Sequence, residues 1–160
     1  MEWTIFLRWL HVIGACVLLG TGAGIAFFMV MAHRTKAPAL IAHTARIVVI
    51  ADWVFTASAV VVQPISGVLL AQALGWRLDE GWIVVSLALY VVIGAFWLPV
   101  VWMQGRMRLL AGAAAKENTP LPPAYHRLYR LWFACGFPAF FSVLAIIWLM
   151  LARPPIALGF

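Results

Sequence analysis

Residues 9–32 read WLHVIGACVLLGTGAGIAFFMVMA, from Trp9 to Ala32, with no charged side chain. Three further uncharged runs follow: Trp53 to Trp76, Gly81 to Gly105 and Leu131 to Ala152. As helices rising ~1.5 Å per residue, runs of this length reach roughly 33 to 37 Å, enough for a hydrocarbon core of about 30 Å. Lipid offers no partner to an unpaired backbone group, so each run is a helix or part of a closed barrel. The runs lack period-two alternation and are far too long for barrel strands. They predict helices.

Composition agrees. Of 160 residues 66% are apolar and only 10% charged, against about 25% charged in an ordinary soluble domain. Mean hydropathy is +1.02, which excludes a disordered chain and argues against a water-soluble one. The expected architecture is an all-α, integral membrane, up-down-up-down four-helix bundle. It forms one transmembrane domain over residues 1–160, with spans at about 6–32, 47–73, 81–105 and 131–152. The first run is too long for a removable signal segment, and Glu2 weakens a basic leader; it reads as an uncleaved span.

A net charge of +6 invites a nucleic-acid reading, but the basic residues lie between spans rather than on a soluble face. Eight of the eleven fall in the first and third connections: Arg34, Lys36, Arg46, Arg106, Arg108, Lys116, Arg127 and Arg130. Arg8, Arg77 and Arg153 lie on the other side. The positive-inside rule then puts both termini outside a bacterial cytoplasmic (inner) membrane. No nucleic-acid partner is expected; the cytoplasmic arginines are expected to meet anionic lipid headgroups. Trp3, Trp9, Trp76, Trp82, Trp102, Tyr129, Trp132 and Trp148 sit near span ends, as an interfacial aromatic belt requires. Cys16 and Cys135 lie at different depths, beyond disulfide reach, and read as packing residues.

Small and polar residues in membrane helices tend to face other helices. At helical spacing the first span presents His11, Gly14, Ala15, Leu18, Gly22 and Ala26, and the second Asp52, Thr56, Ala59, Gln63, Ser66 and Gly67. The third presents Ser86, Tyr90, Gly94, Trp97 and Gln104, and the fourth Cys135, Pro138, Ser142, Ala145 and Leu149. A shared polar interior follows, with close-packing seams as the alternative for the glycines. Gly20 and Gly24 have GxxxG spacing on a helix face rather than in a dinucleotide loop.

Depth sorts these residues into two sites. Asp52, the only acidic residue within a span, lies level with Trp97 and Gln104. A carboxylate there costs about 2.5 to 3.5 kcal/mol on insertion scales, so it demands a partner. That partner is Gln104, Arg106 or Arg46 in a structural role; alternatively Asp52 carries protons. Gln63 and Tyr90 share a middle level. His11 lies level with Ser66, Gly67, Ser86 and Met150. It is either a packing residue hydrogen-bonded to Ser66 or Ser86, or a ligand to metal or haem iron. His33, His43 and His126 are far from it, which excludes a three-histidine zinc site and a bis-histidine haem within one chain. Met150 is the available second axial ligand.

Taken together, Leu10-His11-Val12-Ile13-Gly14, Gly24-Ile25-Ala26-Phe27-Phe28, Ala51-Asp52-Trp53 and Gln63-Pro64 carry a resemblance to a known family. So do Trp97-Leu98-Pro99-Val100-Val101-Trp102 with Gln104, Trp132-Phe133 and Pro138-Ala139. The chain resembles the bacterial integral membrane proteins grouped as domain of unknown function family 2269, a resemblance that implies a membrane bundle and no particular activity. Leu10-His11 alone resembles the copper-resistance-D-type and membrane protoporphyrinogen-oxidase-type bundles, in which that histidine is implicated in haem binding. The oxidase type's basic residue in the third span has no counterpart between Gly81 and Gly105. Three functions stay open. The first is a membrane redox protein holding haem b at His11, including Gly67, Ser86 and Met150 around it, with a quinone or membrane protein as electron partner. The second is a non-catalytic subunit or assembly scaffold, and the third a small oligomeric transporter.

Overall fold

The computed structural model describes residues 2–157. Helix α1 spans Glu2–Arg34, α2 Pro38–Ala51, α3 Ala57–Leu74, α4 Gly81–Lys116 and α5 Pro123–Ala152. Among the described residues there is no strand. Residues Asp52–Thr56 form one turn of π-helix that joins α2 to α3 without a break, so Pro38–Leu74 is a single rod. Four helical rods are therefore long and apolar enough to cross a membrane.

The rods outrun the uncharged stretches. The second was expected to begin near residue 47 and the fourth near 131; they begin at Pro38 and Pro123. Charge interrupts a hydropathy pattern without disfavouring a helix, and proline in the first turn suits a helix start because its missing N–H is unneeded there. Only Thr35–Ala37 and residues 117–122 remain as connections at that end. At the other end α3 stops in a Schellman turn: Gly75, at φ 73°, lets Trp76 N donate to Ala71 O (2.9 Å) and its own N–H to Gln72 O (3.1 Å).

Packing is uneven along the rods. Toward the basic end, Met29 of α1, Ile41, Ala45 and Val48 of α2, Met103 and Met107 of α4 and Tyr125 of α5 form a continuous buried core. Toward the far end only a small cluster forms, from Ala71, Trp82, Ile83 and Leu149. There α1 packs against α3 and α4 along α5, while α3 and α4 stand apart. Large apolar side chains such as Phe27, Val91, Leu98, Phe141 and Leu151 point outward. A soluble surface rarely carries so much contiguous apolar area, whereas acyl chains accept it.

Several inferred positions change. Trp82 and Trp132 are buried in the two cores rather than exposed in a belt, while Trp3, Trp9, Trp102 and Trp148 are exposed as expected. Trp76 packs edge-on to Trp82 and under the Arg153 guanidinium. Both cysteines are free, but Cys16 faces outward and so is no packing residue; Cys135 packs on the larger core. A Cβ at Gly20, Gly22, Gly24 or Gly94 would meet nothing within 4 Å. Of the glycines expected as seams, Gly14 and Gly67 do pack closely, whereas Gly22 and Gly94 do not.

Candidate functional site

Where the pairs diverge they leave a cavity of about 590 Å³, lined by all four rods. That volume lies within the range of about 300 to 1,000 Å³ that holds drug- and cofactor-sized ligands. Its wall is overwhelmingly apolar, and its few polar side chains include His11, Asp52, Thr56, Gln63, Ser86 and Tyr90. His11 and Asp52 thus both face the interior, from opposite ends of the cavity.

At one end, α1 and α3 interlock around His11. Ser66 Oγ lies 3.2 Å from the Gln63 carbonyl and hydrogen-bonds with His11 Nδ1 at 2.9 Å. Nδ1 is thereby engaged by α3. Nε2 has no hydrogen-bond partner among the described residues. The Gln63 amide, oriented so that oxygen meets donor, accepts from Ala15 N (2.9 Å) and donates to His11 O and to His11 Nδ1 (3.0 Å each). Two glycines make this approach possible. A Cβ on Gly14 would come within 3.0 Å of the Gln63 amide, and one on Gly67 within 3.1 Å of His11 Cε1. Each helix omits a side chain where the other projects one. Gln63 thus bonds to α1 around His11, while Tyr90 bonds to Val60, three residues away on α3.

Ser86 is buried and lines the cavity, but its hydroxyl donates to Trp82 O (2.7 Å), back along its own helix. A hydrogen bond from Ser86 to His11 is thus replaced by the one from Ser66. Met150 lines the same cavity and packs on the smaller core. Tyr90 crosses between α4 and α3 to donate its hydroxyl to Val60 O.

At the other end Asp52 is only 3% exposed. Trp97 Nε1 donates to its Oδ1 (3.1 Å), and the Gln104 amide, oriented by its surroundings, donates to Oδ2 (3.0 Å) and accepts from Trp132 Nε1 (3.2 Å). Of the three structural partners considered, Gln104 is the one used. Arg46 and Arg106 are exposed and do not pair with Asp52; among the described residues the one ion pair is Arg77–Asp79, in the Gly75–Gly81 turn. Neutral donors alone hold the carboxyl.

The π-helical turn is the feature with no warning in the sequence. It places Asp52 and Thr56 together, with Ala57 N donating to Asp52 O five residues back, a geometry that recurs at functional sites. The Thr56 hydroxyl is buried beside the Asp52 carboxyl and makes no hydrogen bond within 3.5 Å among the described residues. Thr56 and Trp132 were legible as an inward-facing threonine and an interfacial tryptophan, not as members of this cluster.

A bare metal ion finds no home here: among the described residues no three His, Cys, Asp or Glu side chains converge. A porphyrin is different, because it brings its own four nitrogen ligands and asks the protein for one or two more. An imidazole held at Nδ1, with no protein partner on Nε2 among the described residues and in an apolar cavity of this volume, fits that requirement.

No curated protein and no solved structure matches the chain. A family model described as predicted integral membrane protein (DUF2269) matches residues 5–154. With that match covering nearly all of the sequence, and four rods fit to cross a bilayer, the chain belongs to the DUF2269 family of integral membrane proteins.

Proposed function

We propose that this chain is a membrane redox protein that holds haem b in its central cavity, with His11 Nε2 as an iron ligand. The carrying observation is the His11–Ser66 hydrogen bond, which commits Nδ1 and leaves Nε2 free at the wall of the cavity. Gly67 keeps the face of the imidazole uncrowded, Ser86 borders the same space, and Met150 on α5 is the residue available as a second ligand. Bound haem supplies one-electron chemistry, and the protein sets its potential through ligand identity and burial. Asp52 is the group available to exchange a proton, and a quinone or another membrane protein is the electron partner.

In this reading the rods run up-down-up-down through the bacterial cytoplasmic membrane with both termini outside. The clustering of eight of eleven basic residues at one end supports that orientation, and anionic headgroups meet them there. The test is the absorption spectrum of the detergent-purified chain after haem-supplemented expression. A Soret band that His11→Ala abolishes supports the proposal, and a colourless preparation overturns it.

One observation favours a second reading, a non-catalytic assembly subunit: among the described residues nothing lies within 4 Å of a Cβ placed on Gly20 or Gly24 of α1. A colourless chain that copurifies with a stable membrane partner, and releases it on Gly20→Leu, favours that role.

A further inference from the structure

The Asp52 end of the cavity is built differently from the His11 end and lies about 16 Å away along α3, taking eleven residues from Thr56 to Gly67 at ~1.5 Å each. Two hydrogen-bonding groups meet there with unused capacity. Asp52 receives one neutral donor on each carboxyl oxygen and no cation, and a carboxyl oxygen accepts more than one hydrogen bond. Thr56, 7% exposed, has a hydroxyl that sits beside the Asp52 carboxyl and makes no hydrogen bond within 3.5 Å among the described residues. An orphaned buried hydroxyl on a cavity wall points to a missing polar partner.

The chemistry of that partner follows. A group that donates to Asp52 while accepting from Thr56 must be both donor and acceptor, as a hydroxyl is. An ammonium, with three donors and no acceptor, leaves the Thr56 hydrogen unpaired. The surrounding wall is aromatic, with Trp97, Trp132, Phe133 and Phe137, which suits a planar ring, since stacked or edge-on aromatic contacts add to apolar burial.

We infer that the Asp52–Thr56 end of the cavity binds the ring of a lipid-soluble hydroquinone, one ring hydroxyl donating to the Asp52 carboxyl and accepting from Thr56. This rests on the redox reading for its cavity and deepens it by naming the ligand class. It does not depend on His11 holding haem.

The experiment titrates the full chain in detergent, anaerobically, with decylubiquinol, and follows quenching of tryptophan fluorescence, to which Trp97 and Trp132 contribute. The dimethyl ether of the same quinol serves as a probe with no hydroxyl to donate. Thr56→Val keeps the side-chain shape and removes only the orphaned hydroxyl, so the variant is expected to fold; circular dichroism checks its helicity. Saturable binding of the quinol is expected. Both Thr56→Val and methylation should weaken it about fivefold or more, the loss of a hydrogen bond in a buried site, while His11→Ala should leave it within about twofold. Equal binding of diol and diether, or full binding by Thr56→Val, overturns the inference, as does loss of binding in His11→Ala. A colourless protein that still binds the quinol in this pattern sinks the haem reading and leaves the inference standing.

Discussion

The Tyr90 hydroxyl donates to the backbone carbonyl of Val60, and Val60 is four residues before Pro64. In a regular helix the residue at 64 would satisfy that carbonyl, but proline has no N–H. A side chain from α4 thus supplies the hydrogen bond that α3 lacks, in the region where water is absent and neighbouring helices must re-satisfy the backbone. It is also one of three side-chain hydrogen bonds, with Trp97–Asp52 and Gln104–Asp52, that tie α4 to the Pro38–Leu74 rod.

Tyr90→Phe should therefore cost about 1 to 3 kcal/mol, the penalty for an unsatisfied buried acceptor. Pro64→Ala restores the missing donor, so the Tyr90→Phe change should cost much less in that background. Unfolding of the four proteins in detergent forms a double-mutant cycle. Strictly additive effects would contradict the pairing.

The glycines divide into two predicted classes. Gly67→Ala and Gly14→Ala push a methyl against His11 and Gln63 at 3.1 and 3.0 Å, and both should lower stability and disturb the His11 environment. Gly20→Ala and Gly94→Ala meet open space and should be neutral or stabilising by up to about 1 kcal/mol, the helix-propensity gain over glycine. Thermal unfolding of the four variants checks the ordering. Destabilisation by Gly94→Ala equal to that by Gly67→Ala would refute it.

Gln104→Leu strands two buried groups, Asp52 Oδ2 and Trp132 Nε1. It should cost about 2 to 4 kcal/mol, more than one lost neutral hydrogen bond, whereas Gln104→Glu should be worse still because it faces a second carboxyl across 3.0 Å. Chemical unfolding in detergent measures both, and a Gln104→Leu protein as stable as wild type would show that the cluster contributes nothing.

Outside the spans, the Arg77 guanidinium beside Asp79 holds that carboxyl below the usual carboxylate range. A depressed pKa contributes stability above the unfolded value, near 3.9, and loses it only as pH falls through the lower folded value. Both partners are fully exposed, so solvent screens the pair. Asp79→Asn should leave thermal unfolding unchanged between pH 5 and 9. A shift within that window would mean the turn is coupled to the helices behind it.

Much of this was legible from residue type and depth. Asp52, Trp97 and Gln104 fall at one level of the bilayer pattern and do meet; His11, Ser66 and Gly67 fall at another and do meet. Two kinds of feature were not legible. The helix starts at Pro38 and Pro123 were hidden because Arg46, Arg127 and Arg130 break the hydropathy while leaving the helix intact. The π turn at Asp52–Thr56 and the Tyr90–Val60 bond depend on how α3 is rotated against α4, which no local pattern encodes. Gln63-Pro64 marked an orphaned carbonyl on Val60, but only the packing shows that Tyr90 reaches it.

The most direct test of the account is a haem titration of the purified full chain in lipid nanodiscs, followed by the Soret band. The account predicts saturation at about one haem per chain, loss of the complex in His11→Ala, and weaker binding in Ser66→Ala, where Nδ1 loses a hydrogen bond that orients the ring. Haem binding that His11→Ala leaves unchanged, or no saturable binding by the wild-type chain, would contradict it.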